Sequence, residues 1–271
     1  MPALIDIGVN LTHRSFEDDR QQVMERAAAA GIERMIVTGT SVTASAQALA
    51  LAESRAGTLF CTAGIHPHHA SEFDSHSIDA LAQLLQSQSV VAIGECGLDF
   101  YRDFSPRPDQ IETFQAQLAL AQQVGLPVFL HQRDAHDTFV AIMKSSRDAL
   151  SGGVAHCFTG GRNELRDYLD LDLYVGVTGW VCDERRGQAL RQALADIPLN
   201  RLLLETDAPY LLPRDLRPIP KARRNEPRFL SHVLNRVAQE MNLAPEVVAA
   251  ATVENTETLF RLPELTQPSL L

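Results

Sequence analysis

The sequence predicts an α/β protein of the closed (β/α)8 TIM-barrel class. Three observations lead there. Eight apolar, strand-like runs recur along the 271 residues, with helical stretches between them. The runs are continuous rather than alternating, as parallel strands covered on both faces require. Polar residues gather where those runs end, which is the end of a barrel that carries chemistry.

In chain order the strands read ALIDIGVNL, RMIVTGT, LFCTAGIHP, VVAIGECGLDF, PVFLHQR, GGVAHCFTG, LYVGVTGWV and RLLLETDAP. The helical stretches include DDRQQVMERAAAAG, QIETFQAQLALAQQVG, FLSHVLNRVAQEMN and APEVVAAATVENTETLF. In the second of these, Ile111, Phe114, Leu118, Ala121 and Val124 recur at helical spacing, Gly125 stops the helix and Pro127 follows. No low-complexity linker or break in composition divides the chain, so one domain over 1–271 is expected. An open doubly wound sheet fits less well, because eight even units are many for it and no G-x-G-x-x-G opens the first helix.

Composition narrows the function. The net charge is −10, from 24 basic and 34 acidic residues. Such a surface does not gather nucleic acid non-specifically, so a polyanionic substrate needs a locally basic site or bound cations. No apolar run approaches a membrane span, and Met1-Pro2-Ala3 opens no basic leader. Cys61, Cys96, Cys157 and Cys182 are scattered, with no C-x-x-C. They are expected to be reduced, in a cytoplasmic protein.

The polar residues supply the sharper test. His66 and His68 end strand three, Glu95 strand four, His131 and Arg133 strand five, His156 strand six and Asp207 strand eight, while Asp6 lies in strand one. Core histidines placed at random would not choose one end of several strands. Imidazoles with carboxylates form a mixed N/O set for a divalent metal. Side chains alternate faces along a strand, so Glu205 and Asp207 should both face the lumen. Asp207 is then at the rim, and Glu205 one layer deeper, either orienting a ligand histidine or sitting in a structural ion pair. The same alternation turns Cys96 and Cys157 outward, as small buried hydrophobes.

IGECGLDFYRDFS, VFLHQRDAH, AHCFTG, GVTGWVCDERRG and LLLETDAPYLLPRDL with RRNEP resemble the TatD family of metal-dependent deoxyribonucleases. The resemblance runs from DIGVNLT to ENTETLF; DIGVNLT, WVCDERRG and RRNEP point to one member rather than to the wider relatives. It implies a TIM-barrel hydrolase that cleaves phosphodiesters: a magnesium-dependent 3′–5′ exonuclease on single-stranded DNA or RNA, cytoplasmic, with a role in repair of oxidative damage. It also implies metal ligands at Glu95, His131, His156 and Asp207, and a G-x-H-P-H element at Gly64, His66, Pro67 and His68.

The chain departs from the wider family at one place. Most members begin with D-x-H-x-H; here Gly8 and Asn10 stand where the histidines would be. Glycine offers no ligand, and Asn10 only a neutral oxygen. One tight and one weaker metal site are therefore expected, with Asp6 and Asn10 as further ligand candidates. Mg²⁺ is expected, with Mn²⁺ next and Zn²⁺ less favoured.

For catalysis, Glu95 is expected to bridge the ions and Asp207 to hold and deprotonate water. His66 and His68 would contact phosphate or protonate the leaving oxygen. Arg133, Arg185, Arg186, Arg223 and Arg224, with Lys221 and Arg228, are candidates for the phosphate backbone, or else solvated loop charges. Phe100, Tyr101, Trp180 and Tyr210 could stack on unpaired bases or simply pack. The 3′ end of a monomer's single-stranded substrate is the expected partner. Two rivals stay open: an ester or amide hydrolase such as an aminoacyl-tRNA deacylase, and a metal-depleted binding module.

Overall fold

A computed structural model of the chain describes residues 2–263. Eight strands, β1 (Leu4–Val9), β2 (Ile32–Val37), β3 (Leu59–Ala63), β4 (Val90–Asp99), β5 (Val128–Arg133), β6 (Gly153–Ala155), β7 (Tyr174–Val177) and β8 (Leu202–Leu204), pair in parallel in sequence order. A parallel bridge between Val9 and Ala208 joins the last edge to the first. The predicted (β/α)8 barrel is therefore the observed one. Residue 1 and residues 264–271, the ends of the expected domain, lie outside the described residues.

The helices are α1 (Arg20–Ala29), α2 (Val42–Glu53), α3 (Ser77–Leu84), α4 (Arg107–Val124), α5 (His136–Ser146), α6 (Arg162–Asp170), α7 (Gln188–Leu194), α8 (Leu230–Met241) and α9 (Pro245–Phe260). Their apolar faces pack on outward strand residues such as Leu4, Val37, Cys96, Leu130 and Val175 in one large buried cluster. The alternate strand residues Ile5, Ile7, Ile36, Phe60, Val91, Phe129, Val154 and Leu203 form a smaller cluster that fills the barrel, with Phe260 among its members. α4 starts at Arg107-Pro108, before the stretch read from periodicity, and ends at Gly125, whose φ of 69° favours glycine.

Strands six and eight are shorter than the sequence suggests, three residues each. The residues just past them still bond to the neighbouring strand: His156 N–H donates to Leu130 O at 2.9 Å and Glu205 N–H to Val177 O at 3.1 Å. The seam between β8 and β1 is held by side chains as well as backbone. Asp207 N–H donates to Gly8 O at 2.8 Å, and Asn10 N–H donates to Ala208 O at 2.8 Å. Below them, Asp6 accepts from Thr206 N–H at 2.9 Å and from its hydroxyl at 2.5 Å.

Candidate metal centre and active site

The C-terminal ends of the strands surround a cavity of about 1520 Å³ lined by His66, His68, Glu95, His131, His156 and Asp207. Ligand pockets are usually roughly 300–1,000 Å³, so this one has room for a polymer segment.

Its floor is organised around one oxygen. Glu95 Oε1 is 2.8 Å from His131 Nδ1, 3.0 Å from His156 Nε2 and 3.3 Å from His66 Nε2. Glu95 does not end β4 as the sequence suggests; the strand runs on to Asp99, and the glutamate lies one layer down in the lumen. Donor atoms of His66, Glu95 and His131 lie mutually within 4.8 Å. Against the desolvation of burial, the charges of His66 and His156 and the His131 hydrogen bond hold Glu95 well below the usual carboxylate range.

Each imidazole is aimed by a second partner. His66 caps the turn Pro67–Glu72, and its Nδ1 accepts the His68 N–H at 3.0 Å. That leaves Nε2 facing Glu95. Burial lowers its pKa to about 4. His156 lies between two carboxylates, with Glu205 Oε2 2.8 Å from Nδ1. Although burial opposes it, Glu205 and Glu95 raise His156 well above the ordinary value. His131 Nε2 is buried and has no hydrogen-bond partner; the nearest carboxylate, Asp99 Oδ2, is 3.6 Å away. A buried imidazole nitrogen left unpaired beside a carboxylate fits a cation ligand.

Glu205 is fully buried. Besides His156 it accepts the Cys157 N–H at 2.5 Å. The carboxylate fits only because two neighbours are glycine. A Cβ on Gly8 would lie 2.4 Å from Glu205 Oε2, and one on Gly176 2.5 Å from Oε1. Gly8, which leaves the first strand without an imidazole, thus clears the volume that Glu205 occupies.

Asp207 stands at the rim with φ of 53° and accepts from Asn10 Nδ2 at 3.0 Å. Burial pushes its pKa up to about 7; Glu95 and Glu205 add to the rise, and His156 and Asn10 oppose it. Asn10 thus holds Asp207. Asp6 is placed differently from the ligand role considered for it. Its parity along β1 is that of Leu4, not Ile5 and Ile7. Its oxygens are taken by Thr206 and the Gly8 N–H at 3.3 Å, and it does not line the cavity.

Asp99 is a site residue that the sequence reading missed. Its Oδ2 is 2.8 Å from His68 Nε2, and its Oδ1 accepts the Tyr101 and Arg102 amides. Although burial opposes it, the nearby His131 imidazole and the His68 hydrogen bond hold Asp99 far below the usual range. The signal was available: Glu95, Gly97 and Asp99 share one parity on β4. Cys157 needs a correction. Its φ of 49° breaks strand alternation, and it lines the cavity instead of facing outward. Burial pushes its thiol up to about 12.

The rim is aromatic and basic. Tyr101, Phe104 and Tyr210 are the exposed large aromatics among the described residues, and all three line the cavity. The Arg133 guanidinium stacks 4.0 Å from the Tyr101 ring centre, and Arg186 4.3 Å from that of Trp180. The other expected arginines are placed elsewhere. Arg185 and Arg223 are exposed but off the cavity wall. Arg224 is committed to Asp19 at 2.8 Å and Glu226 at 3.0 Å, over the Phe16 ring. It braces α1 rather than facing substrate.

A (β/α)8 barrel with imidazoles and carboxylates converging on its C-terminal rim has the architecture of a metal-dependent hydrolase. The chain belongs to the TatD-related DNase family, whose pattern it matches over residues 5–261. It is 52% identical to the 3′–5′ ssDNA/RNA exonuclease TatD of Pantoea vagans over 96% of this chain and all of that one, and equally so to that of Edwardsiella piscicida. Among solved structures it resembles a TatD homolog from Escherichia coli K12, at 31% identity and a TM-score of 0.87 over 96% of this chain and 98% of that one. A TatD family hydrolase from Entamoeba histolytica superimposes with a TM-score of 0.84 at 25% identity, over 97% and 100%. Among the described residues, no helix is long and apolar enough to cross a membrane.

Proposed function

We propose that this chain is a divalent-metal-dependent 3′–5′ exonuclease that hydrolyses single-stranded DNA, and RNA as well. The observation that carries the reading is the convergence of three imidazoles on Glu95 Oε1 beneath a rim of aromatics and arginines. Relatives 52% identical over 96% of the chain bear that activity in their names.

Glu95, His131 and His156 would hold the tighter ion, and Asp207 the weaker one, with Asn10 orienting it. Bound there, a divalent ion supplies charge for the phosphate oxygens and activates water. The hard Asp207 and Asn10 oxygens favour Mg²⁺ or Mn²⁺.

The remaining work falls to side chains. Asp207, at the rim and oriented by Asn10, accepts the proton of the attacking water. His66 has one nitrogen on the His68 amide and the other turned to Glu95. His68 is more open to the cavity and is held by Asp99, so it suits proton donation to the leaving 3′ oxygen. Arg133 and Arg186 take backbone phosphates, and Tyr101, Phe104, Trp180 and Tyr210 offer faces to unpaired bases. The same reading places a monomer in the cytoplasm, where four free cysteines are at home.

The test is a 5′-labelled oligonucleotide incubated with Mg²⁺. Shortening from the 3′ end, lost in Glu95→Ala, is expected. Unchanged trimming by that variant would defeat the assignment. Release of an amino acid from aminoacyl-tRNA without trimming would favour the deacylase.

A further inference from the structure

Away from the cavity, a second set of metal-type donors lies beneath the β8–α8 connection. Cys182 closes the turn Gly179–Cys182 after β7, Asp215 lies in the loop after β8, and His232 is in the first turn of α8. The Cys182 thiol, an Asp215 oxygen and a His232 ring nitrogen lie mutually within 4.8 Å. His232 Nε2 is 2.7 Å from Asp215 Oδ1. None of the three lines the active-site cavity.

The donors suit a soft cation. Thiolate, imidazole and carboxylate bind Zn²⁺ at roughly 2.0–2.3 Å, which sets tetrahedral donor separations on the order of 3.5 Å. The His232–Asp215 edge, at 2.7 Å, would open to that separation as the ion replaces the hydrogen bond, and the edges to Cys182 already lie within 4.8 Å. Cys182 is buried, while the Asp215 and His232 side chains are 22% and 31% exposed. Their open edge admits a water as fourth ligand. One thiolate, one carboxylate and a neutral imidazole balance a divalent charge. Arg236 Nη1 lies 3.6 Å from Asp215 Oδ2 and would orient that carboxylate while leaving Oδ1 for the metal. Its charge is offset by Glu240, 2.5 Å from Nη2.

We propose that Cys182, Asp215 and His232 form a structural zinc site that staples the β7 loop and the β8–α8 loop to α8. Binding releases the Cys182 proton to solvent. His232 Nε2 gives up the proton it donates to Asp215 and takes the metal bond, while the ring is protonated on Nδ1 instead, so the imidazole stays neutral. The staple has a clear place to act. From Glu205 to Glu226 the chain forms no regular helix or strand. Cys182 lies two residues from Trp180, and Asp215 lies two residues after Pro213, which packs on Gly179. The ion would tie together two loops that form one side of the cavity mouth.

The experiment titrates the full chain with Co²⁺ as probe and records the near-ultraviolet thiolate-to-cobalt charge-transfer band, then competes with Zn²⁺. We expect a saturable band that Zn²⁺ abolishes. It should vanish in Cys182→Ser and persist in Cys157→Ser, whose thiol lines the active site, and in Glu95→Gln. In His232→Gln, at a position 31% exposed, Co²⁺ affinity should fall at least tenfold. No band at saturating Co²⁺, a band that survives Cys182→Ser or is lost in Cys157→Ser, or unchanged affinity in His232→Gln would each overturn the proposal. If Cys182→Ser fails to fold, the His232→Gln affinity decides. No readout here is nuclease activity, so this test and that of the proposed exonuclease fail independently.

Discussion

Glu205 Oε2 lies 2.8 Å from His156 Nδ1, while His156 Nε2 is turned to Glu95 Oε1 at 3.0 Å. The ring is thus fixed from behind by a carboxylate that touches nothing in the open cavity. A carboxylate behind a ligand histidine sets its tautomer and raises its basicity. Glu205→Gln keeps the shape and removes the charge. It should weaken Mn²⁺ binding by roughly 10–100-fold, measured by titration calorimetry.

The glycine at position 8 is expected to be irreplaceable for a reason that has nothing to do with turns. A methyl there meets Glu205 Oε2 at 2.4 Å and Phe129 Cζ at 3.1 Å. Gly8→Ala should cost about 1–3 kcal/mol of stability and lower activity by displacing Glu205. Urea unfolding beside an oligonucleotide assay measures both. Restoring histidine at this position should be worse still.

Asp6 makes stability depend on pH. Burial raises it to about 7, against the Thr206 and Gly8 hydrogen bonds. Its folded value exceeds its unfolded one, so its contribution is fully present below about pH 4 and is lost as pH rises through about 7. The loss is on the order of a few kcal/mol. Unfolding midpoints at pH 5 and pH 8 should move in favour of Asp6→Asn as pH rises. An equal gap at both would refute this account of the seam.

The arginines divide into two groups with different consequences. Arg133→Ala and Arg186→Ala should each lower the salt slope of single-strand binding by about 0.7. Arg224→Ala should leave that slope unchanged and reduce stability instead, because its partners are Asp19 and Glu226. Fluorescence anisotropy across a salt series separates the two effects.

Tyr101 is expected to act on binding more than on turnover. The residue is 58% exposed on the cavity rim. A stacked base is worth about 1–3 kcal/mol, so Tyr101→Ala should raise KM for an oligonucleotide while kcat changes little. An equal loss in both would mean that the ring positions the reacting phosphate instead.

The barrel was legible because strand burial and helical spacing are local signals, and His66, His131 and His156 were legible because they follow apolar runs. Asp99 was hidden by the aromatic run beside it, although its parity with Glu95 marks it. The fate of Arg224 could not be read, since Asp19 and Glu226 reach it only through the fold. Cys157 misled for a local reason: one left-handed residue cancels the alternation on which its outward placement rested. The pairing of Gly8 with Glu205 joins the first strand to the last, a relation that no window along the chain contains.

The central claim is that Glu95, His131 and His156 share one cation. Anomalous diffraction from crystals soaked in Mn²⁺ addresses it most directly. A peak at roughly 2.0–2.4 Å from a Glu95 oxygen and from imidazole nitrogens of His131 and His156 is the expected result. A fully soaked crystal with no peak among these three side chains would contradict it.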